Sequence, residues 1–237
     1  MKKKIGLVGG IGPESTLDYY RRIVAALAPL PPAARPDVVV YSASVDELFA
    51  LMEAKDWDGL VVWLLGKLAA LRGAGADVAA IGANTPHLVF DRIRARSLLP
   101  LRSIVEATRD EAVRIGARRL GLLGTRFTMS SDFYARSFQE AGLEIAVPSR
   151  ADQDLVHHRL MTEIELGILK ESTREELLAV AGRLQRGGGI DAVILGCTEL
   201  PLVLDRSAYV LPGSGARLPF LNTTALHVAD LVRFATG

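Results

Sequence analysis

The chain has 237 residues, a formal net charge of +1 and a hydrophobic content of 49%. A chain of this length can form one large domain or two lobes of roughly 100–120 residues each. The balance of 28 basic and 27 acidic residues gives no electrostatic reason to expect nucleic acid or an anionic membrane as a partner. A single cysteine excludes an internal disulfide framework and is typical of a reducing cytoplasm.

The N-terminal sequence MKKKIGLVGG begins with positive charges but lacks the long apolar segment of a secretory signal peptide. The longest apolar stretch, GLVVWLLG (59–66), is too short to cross a bilayer. We therefore expect a soluble cytoplasmic protein.

Short β-rich runs alternate with longer segments of helical periodicity along the chain. The predicted strands are 4–8, 37–42, 76–81, 119–123, 143–147 and 190–195. The predicted helices are 14–28, 59–72, 104–115, 131–141 and 174–186. Continuous apolar strands between helices favour parallel sheets that are covered on both faces, so the predicted fold class is α/β.

The first half of the chain is similar to the second half, which predicts two pseudo-symmetric α/β lobes. The aligned pairs are KKIGLVGGIGPESTLDYY (3–20) with RRLGLLGTRFTMSSDFYA (118–135), ADVAAIGANT (76–85) with IDAVILGCTE (190–199), and, more weakly, LPLRSIVEAT (99–108) with LPFLNTTALH (218–227). We expect residues 1–98 and 211–237 to form the first lobe and residues 99–210 to form the second. The final helix then belongs to the first lobe.

Four turns follow the carboxyl ends of predicted strands, where open parallel sheets bind ligands. They span residues 9–16, 82–87, 124–131 and 196–201. Two lobes that face each other would bring these turns to one active-site cleft. The first turn, GGIGPEST, offers glycines for close backbone approach, but it lacks the lysine of a Walker loop and the spacing of a dinucleotide fold. A nucleotide site is therefore not predicted.

The turns ANTPH (83–87) and CTELP (197–201) each place a proline directly after polar residues. Proline is tolerated in the first turn of a helix, and Asn84, Thr85 or Thr198 are suitable N-caps. Both turns are therefore predicted to be helix N-termini, where backbone N–H groups and the helix dipole favour an anion. Such a position would lower the pKa of Cys197 from its ordinary value of about 8.5.

The single cysteine admits two readings. A lone cysteine is usually a small buried hydrophobic residue, but Cys197 follows Gly196 at a strand end and occupies a duplicated turn, which favours a functional role. Glu199 is interpreted as a carboxylate that supports this thiol. His87 and His227 are either supporting groups or ordinary residues on a helix face. The histidines lack metal-ligand spacing, so no metal site is predicted.

The motifs GGIGPEST…YY, ANTPH, GTRFTM…FY, GCTEL and LPFLNTTALH resemble those of the aspartate/glutamate racemase family, from residue 4 to about residue 230. The similarity is closest to the branch specific for L-aspartate and L-glutamate. The resemblance implies a cofactor-independent enzyme with two α/β lobes and two thiols on opposite faces of the substrate Cα. One thiol takes the α-proton and the other delivers one. An acidic amino acid or dicarboxylate is the expected substrate, and a homodimer is the expected assembly.

The resemblance makes Cys197 the catalytic cysteine of the second lobe. The residues that it places around the substrate are Gly10, Asn84, Thr85, Thr125, Thr128 and Thr198. The groups expected to support them are Glu199, His87 and Asn222. Two positions depart from the family pattern, because Ala83 stands where the first-lobe cysteine is expected and Asn222 replaces an aspartate.

Ala83 matters because symmetric racemisation needs an acid–base group on each face of Cα, and one such group contributes about 10²–10⁴ in rate. Three explanations stay open for an enzyme. The alanine is an engineered replacement of cysteine, or water held by Asn84, Thr85 or His87 replaces the thiol, or the chemistry is one-sided. One-sided chemistry resembles that of the superfamily members that decarboxylate arylmalonates with a single cysteine. A non-catalytic binder of small dicarboxylates is the remaining alternative.

Overall fold

Two mainly parallel sheets organise the chain in the computed structural model, which describes residues 2–237. The chain divides into two compact units. The first contains the residues up to Ile104 together with Thr224–Gly237, and the second contains Val105–Thr223. This arrangement confirms the predicted α/β fold class with two sheets flanked by helices.

The first sheet contains four parallel strands: β1 (Ile5–Gly9), β2 (Val38–Ser42), β3 (Val78–Ile81) and β4 (Leu101–Arg102). Their order is β2-β1-β3-β4. The central strands β1 and β3 are fully buried, whereas the edge strand β2 is only partly covered. The helices of this part of the chain are α1 (Pro13–Leu27), α2 (Val45–Glu53), α3 (Trp57–Gly73) and α4 (Phe90–Arg94), with 3-10 turns at Pro32–Ala34 and Thr85–Val89.

The second sheet contains β5 (Arg119–Leu123), β6 (Glu144–Ala146), β7 (Ala192–Leu195), β8 (Ala208–Val210) and β9 (Arg217–Asn222). Their order is β6-β5-β7-β9-β8, and every pair is parallel except β8 with β9. The remaining helices are α5 (Ile104–Arg114), α6 (Arg126–Ser130), α7 (Phe133–Gln139), α8 (Arg150–Thr162), α9 (Glu171–Gly188), α10 (Leu200–Val203) and α11 (Thr223–Thr236), with a 3-10 turn at Ile164–Leu166.

The sequence repeat corresponds to a structural repeat. The orders β2-β1-β3-β4 and β6-β5-β7-β9 follow the same pattern. The carboxylate of Asp77 accepts a hydrogen bond from the main-chain N–H of Lys4 at 2.7 Å, and Asp191 accepts one from the main-chain N–H of Arg119 at 3.0 Å. The two aspartates therefore perform the same local task at the start of the central strands.

The final helix, α11, packs on the core of the first unit. Val228, Leu231 and Ala235 share one buried cluster with Ile5 and Ile23. The units change after Ile104 and after Thr223. Both changes lie later in the chain than the predicted boundaries after residues 98 and 210, because β4 pairs with β3 and β9 pairs with β7.

Every strand and helix predicted from sequence is present, with its ends displaced by a few residues. The strand β8 departs from the expectation of purely parallel sheets. The chain reverses before β9 in a tight turn where Gly213 and Gly215 have φ values of 77° and 68°, a region that favours glycine. None of the helices within residues 2–237 is long and apolar enough to span a membrane.

Candidate active site

Cys197 follows the buried strand β7 and lies in the hydrophobic core of the second unit. The preceding residue, Gly196, donates a main-chain hydrogen bond to the Leu123 carbonyl oxygen at 2.6 Å. A Cβ atom on Gly196 would lie 2.9 Å from the same oxygen, so a side chain at this position would move the turn. Glycine therefore allows the backbone to bring Cys197 against the end of β5.

The Cys197 thiol donates a hydrogen bond to Glu199 Oε2 at 3.0 Å. The hydroxyl of Thr198 donates to the same carboxylate oxygen, also at 3.0 Å. All three side chains are buried. A buried carboxylate oxygen that accepts from a thiol can receive its proton, so the geometry provides a proton acceptor next to the only cysteine of the chain.

The predicted lowering of the Cys197 pKa is wrong. Burial raises the pKa of this thiol well above its ordinary value, and the negative charges of Glu199 and Glu165 raise it further. The helix that was expected to stabilise a thiolate, α10, has only four residues and supplies a weak dipole. Its N-cap position is occupied by Glu199 rather than Thr198, and the Thr198 hydroxyl is bonded to the Glu199 carboxylate.

Glu165 is a residue of this site that sequence reasoning missed. It lies in the 3-10 turn Ile164–Leu166, and its carboxylate, the Cys197 thiol and the Glu199 carboxylate have ligand atoms within 4.8 Å of one another. Burial, followed by the charge of Glu199, raises the Glu165 pKa to about 7. The thiol hydrogen bond accounts for the approach of Cys197 and Glu199, and we assign no metal to the group.

The corresponding turn of the first unit contains Ala83, which is buried after Gly82. The Gly82 N–H donates to the Val8 carbonyl at 2.9 Å, as Gly196 does to Leu123. Asn84 occupies the N-cap position of the turn Thr85–Val89, but its side chain makes no capping hydrogen bond. Asn84 is therefore the N-cap residue, as predicted, but its amide side chain does not cap the turn.

His87 anchors this turn from within the first unit. Its Nε2 atom accepts from the main-chain N–H of Ile104 at 3.3 Å, so its proton is on Nδ1, which donates to the Ala83 carbonyl at 3.0 Å. Burial, followed by the charge of His227, lowers the His87 pKa to about 3. His87 is thus neutral near pH 7 and holds the main chain of Ala83 in place.

Three further predicted sites, at Thr125, Gly10 and Asn222, lie at or just after strand ends. Thr125 caps α6, because its Oγ1 atom accepts from the N–H of Thr128 at 3.3 Å, and the two buried hydroxyls are 3.2 Å apart. Gly10 has a φ of 82° and donates to Thr16 Oγ1 at 2.8 Å. Asn222 is half-buried at the end of β9, beside Leu195 of β7.

The structure therefore brings together Cys197, Thr198, Glu199 and the unpredicted Glu165 in the second unit. Thr125 and Asn222 lie at the carboxyl ends of the strands on either side of β7, along the same edge of the sheet. In the first unit, Ala83, Asn84, Thr85 and His87 share the turn after β3, and Gly10 follows β1.

The model of the Asp/Glu/hydantoin racemase family matches residues 8–231. The chain belongs to this family. A family member from Pyrococcus horikoshii, described as an aspartate racemase homologue, is 33% identical, with a TM-score of 0.81 over 99% of this chain and 100% of that one. The aspartate racemase of Picrophilus torridus has the same fold, with a TM-score of 0.76 over 98% of this chain and 94% of that one, at 20% identity.

Curated relatives in the family carry the name glutamate racemase. The enzyme of Desulforudis audaxviator is 32% identical over 164 residues, which cover 68% of this chain and 54% of that protein. The enzyme of Koribacter versatilis is 27% identical over 189 residues, which cover 76% of this chain and 62% of that protein. The chain thus spans about half of the length of the curated relatives that it matches.

Proposed function

We propose that this chain catalyses proton transfer at Cα of an acidic amino acid, with Cys197 as the acid–base group and without an organic cofactor. The observation that carries the proposal is the thiol after β7 that is hydrogen-bonded to the buried Glu199 carboxylate. Family membership supports the reaction class, and the names of the relatives, aspartate and glutamate racemases, support an acidic substrate.

The proposed reaction begins when the Cα–H proton of the substrate passes to the sulfur of Cys197. A planar carbanion remains, and protonation of its opposite face would give the other enantiomer. In the proposal, the turn at Ala83 serves that face, as the internal repeat suggests. Alanine has no exchangeable side-chain proton, so the thiol of Cys197 returns a proton to the face from which it took one. Fast exchange with little inversion is the expected activity.

Deuterium exchange tests this function directly. In D₂O, one enantiomer of aspartate or glutamate should exchange its α-proton much faster than it racemises, and Cys197→Ser should abolish the exchange. A Thr236→Ser variant, altered at the end of α11, serves as a control that should retain it. Exchange that persists in Cys197→Ser, or its absence from the unaltered protein with both amino acids, would contradict the proposal.

A one-cysteine decarboxylase is the second candidate, and two observations favour it. Ala83 leaves one acid–base side chain, and the raised pKa of Cys197 suits a proton donor more than a base. Loss of CO₂ creates the carbanion without a base, and one thiol then protonates it. Release of CO₂ from a substituted malonate, abolished in Cys197→Ser, would identify this activity. If the protein shows no exchange and releases no CO₂, but dicarboxylates still protect Cys197 from alkylation, it is a binding protein.

We also propose that the chain forms a homodimer and acts in the cytoplasm. Family membership and a catalytic thiol that must stay reduced support these two assignments. Light scattering coupled to size exclusion should give twice the mass of one chain, and a single-chain mass would contradict the dimer. Localisation of the tagged protein in cell fractions tests the second assignment.

A further inference from the structure

Two chain segments bring two carboxylates to one thiol. We call Glu165, Cys197 and Glu199 the acid–thiol cluster. Glu165 comes from the 3-10 turn after α8, Cys197 from the turn after β7, and Glu199 from the N-terminus of α10. Their ligand atoms lie within 4.8 Å of one another, Cys197 and Glu199 are buried, and Glu165 is half-buried.

Such a cluster makes ionisation of the thiol to solvent unfavourable. A thiolate beside an ionised Glu199 adds a second negative charge in a buried environment, and an ionised Glu165 would make three. Transfer of the proton from Sγ to Glu199 Oε2 avoids this cost, because the S–H bond breaks, an O–H bond forms and the charge of the cluster does not change. The existing hydrogen bond of 3.0 Å is the path for this transfer.

The neighbouring Glu163 shows how differently the two glutamates of this segment are placed. Arg159 and Lys170 contact the Glu163 carboxylate at 2.7 and 2.9 Å, and the Thr173 hydroxyl donates to it. Arg159 also pairs with Glu176 from α9. Arg159 and Lys170 are thus engaged by Glu163 and Glu176, while Glu165 lies near Glu199 and the thiol.

We propose that Glu165 is a positioning residue whose protonated carboxyl keeps the acid–thiol cluster at one negative charge, so that Cys197 can pass its proton to Glu199. Once the proton has moved, the sulfur holds the free electron pair that accepts the substrate α-proton. Ionisation of Glu165 adds a second negative charge and opposes formation of the thiolate. The Glu165 pKa of about 7 places this change near neutral pH. The catalytic use of the cluster rests on the proposed function, but its effect on thiol reactivity does not.

Alkylation of the single cysteine with iodoacetamide tests the cluster without any substrate. In the unaltered protein the rate should rise with pH and flatten above about pH 7, as Glu165 ionises. Glu165→Gln imitates the protonated carboxyl. Its alkylation rate should equal that of the unaltered protein below about pH 6 and should be on the order of tenfold higher than that of the unaltered protein at about pH 9. Glu171→Gln, an exposed charge removed at the start of α9, should follow the unaltered protein.

Superimposable alkylation profiles for the unaltered protein and a folded Glu165→Gln would overturn the proposal. The titration of ¹³C-labelled glutamate carboxyls in the unaltered protein is independent of any variant, and one carboxyl should titrate near pH 7. Titration of every glutamate carboxyl below about pH 5.5 would also overturn it. If the alkylation profiles are as predicted but the protein exchanges no α-proton, the proposed function is contradicted and the role of Glu165 in thiol reactivity still holds.

Discussion

The hydroxyl of Tyr19 donates a hydrogen bond to Nδ1 of His227 at a distance of 2.8 Å, inside the core of the first unit. The other ring nitrogen, Nε2, donates to the Arg102 carbonyl at 3.0 Å. One nitrogen therefore accepts and the other donates, which is the pattern of a neutral imidazole. Burial lowers the His227 pKa to about 4, and burial together with His227 lowers that of His87 to about 3.

The two buried histidines make the stability of the fold depend on pH. Between the folded pKa values of about 3 and 4 and the unfolded value of 6.5, the unfolded chain binds more protons. The two histidines therefore make the free energy of unfolding fall as pH decreases below 6.5, each by up to about 1.4 kcal/mol per pH unit. The raised pKa of Glu165 acts in the opposite direction between pH 4.5 and about 7, so the slope of the histidines is measured in the Glu165→Gln variant. Urea denaturation at several pH values between about 5 and 7 measures this slope.

Two variants separate this effect from general acid sensitivity. Combined with Glu165→Gln, His227→Gln should reduce the slope to that of one histidine, whereas His158→Gln, at an exposed position of α8, should leave it unchanged. Equal unfolding free energies of Glu165→Gln at about pH 5 and pH 7 would show that the two rings are protonated in the folded state.

The repeat and the cysteine turn could be predicted from the sequence because they depend on local patterns. Apolar runs that end in glycine identify β1, β3, β5 and β7, and the duplicated Asp77 and Asp191 align the two halves. The site environment could not be predicted in the same way. Glu165 reaches Cys197 only through the packing of a 3-10 turn, and no motif relates the two residues.

The predicted direction of the Cys197 pKa shift was wrong because it, too, depends on tertiary packing. A proline-containing turn after a strand indicates a helix N-terminus, but its length decides the size of the dipole, and α10 has only four residues. Burial and two adjacent carboxylates, which depend on tertiary structure, outweigh it. The β8–β9 hairpin was missed because β8 has only three residues and the two strands are joined by a stretch rich in glycine and proline.

Glu163 and Glu165, two residues apart, should respond differently to the same substitution. Glu163→Gln removes the carboxylate charge that Arg159 and Lys170 contact, although Arg159 keeps its ion pair with Glu176, so the variant should have a lower melting temperature at pH 7. Glu165→Gln should change it little. Hydrogen bonds from Thr173, then Lys170, lower the Glu163 pKa to about 2, from 4.5 in the unfolded chain. The stabilisation is therefore present above pH 4.5 and is lost as pH falls toward 2.

Melting curves at pH 7 and near pH 3 measure this difference between the two variants. The destabilisation caused by Glu163→Gln should be smaller at the lower pH, because Glu163 of the unaltered protein is then closer to losing its charge. Equal melting temperatures for Glu163→Gln and the unaltered protein at pH 7 would mean that the ion pairs contribute no net stability.

Substitution of glycine by alanine should have opposite effects on the free energy of unfolding at Gly10 and at Gly66. At Gly10 the φ is 82°, and a Cβ atom would lie 2.2 Å from the Ala43 carbonyl oxygen. Gly10→Ala should therefore destabilise the fold by about 1–3 kcal/mol. Gly66 lies on an exposed part of α3 with open space around its Cα, so Gly66→Ala should stabilise it by about 0.5–1 kcal/mol. Urea denaturation of both variants gives the comparison, and a neutral Gly10→Ala would contradict the turn geometry.

Ala83→Cys is the sharpest test of why one of the duplicated turns lacks a nucleophile. If the missing acid–base group alone limits inversion, the variant should racemise aspartate or glutamate about 10²–10⁴ times faster than the unaltered protein. The size-matched Ala83→Ser offers a much weaker acid and should give little of this gain. Chiral chromatography of the product measures the rates. An Ala83→Cys variant that stays inert while Cys197 keeps its alkylation rate would contradict racemisation, and the decarboxylase would then become the leading function, because it needs only the one thiol that the chain has.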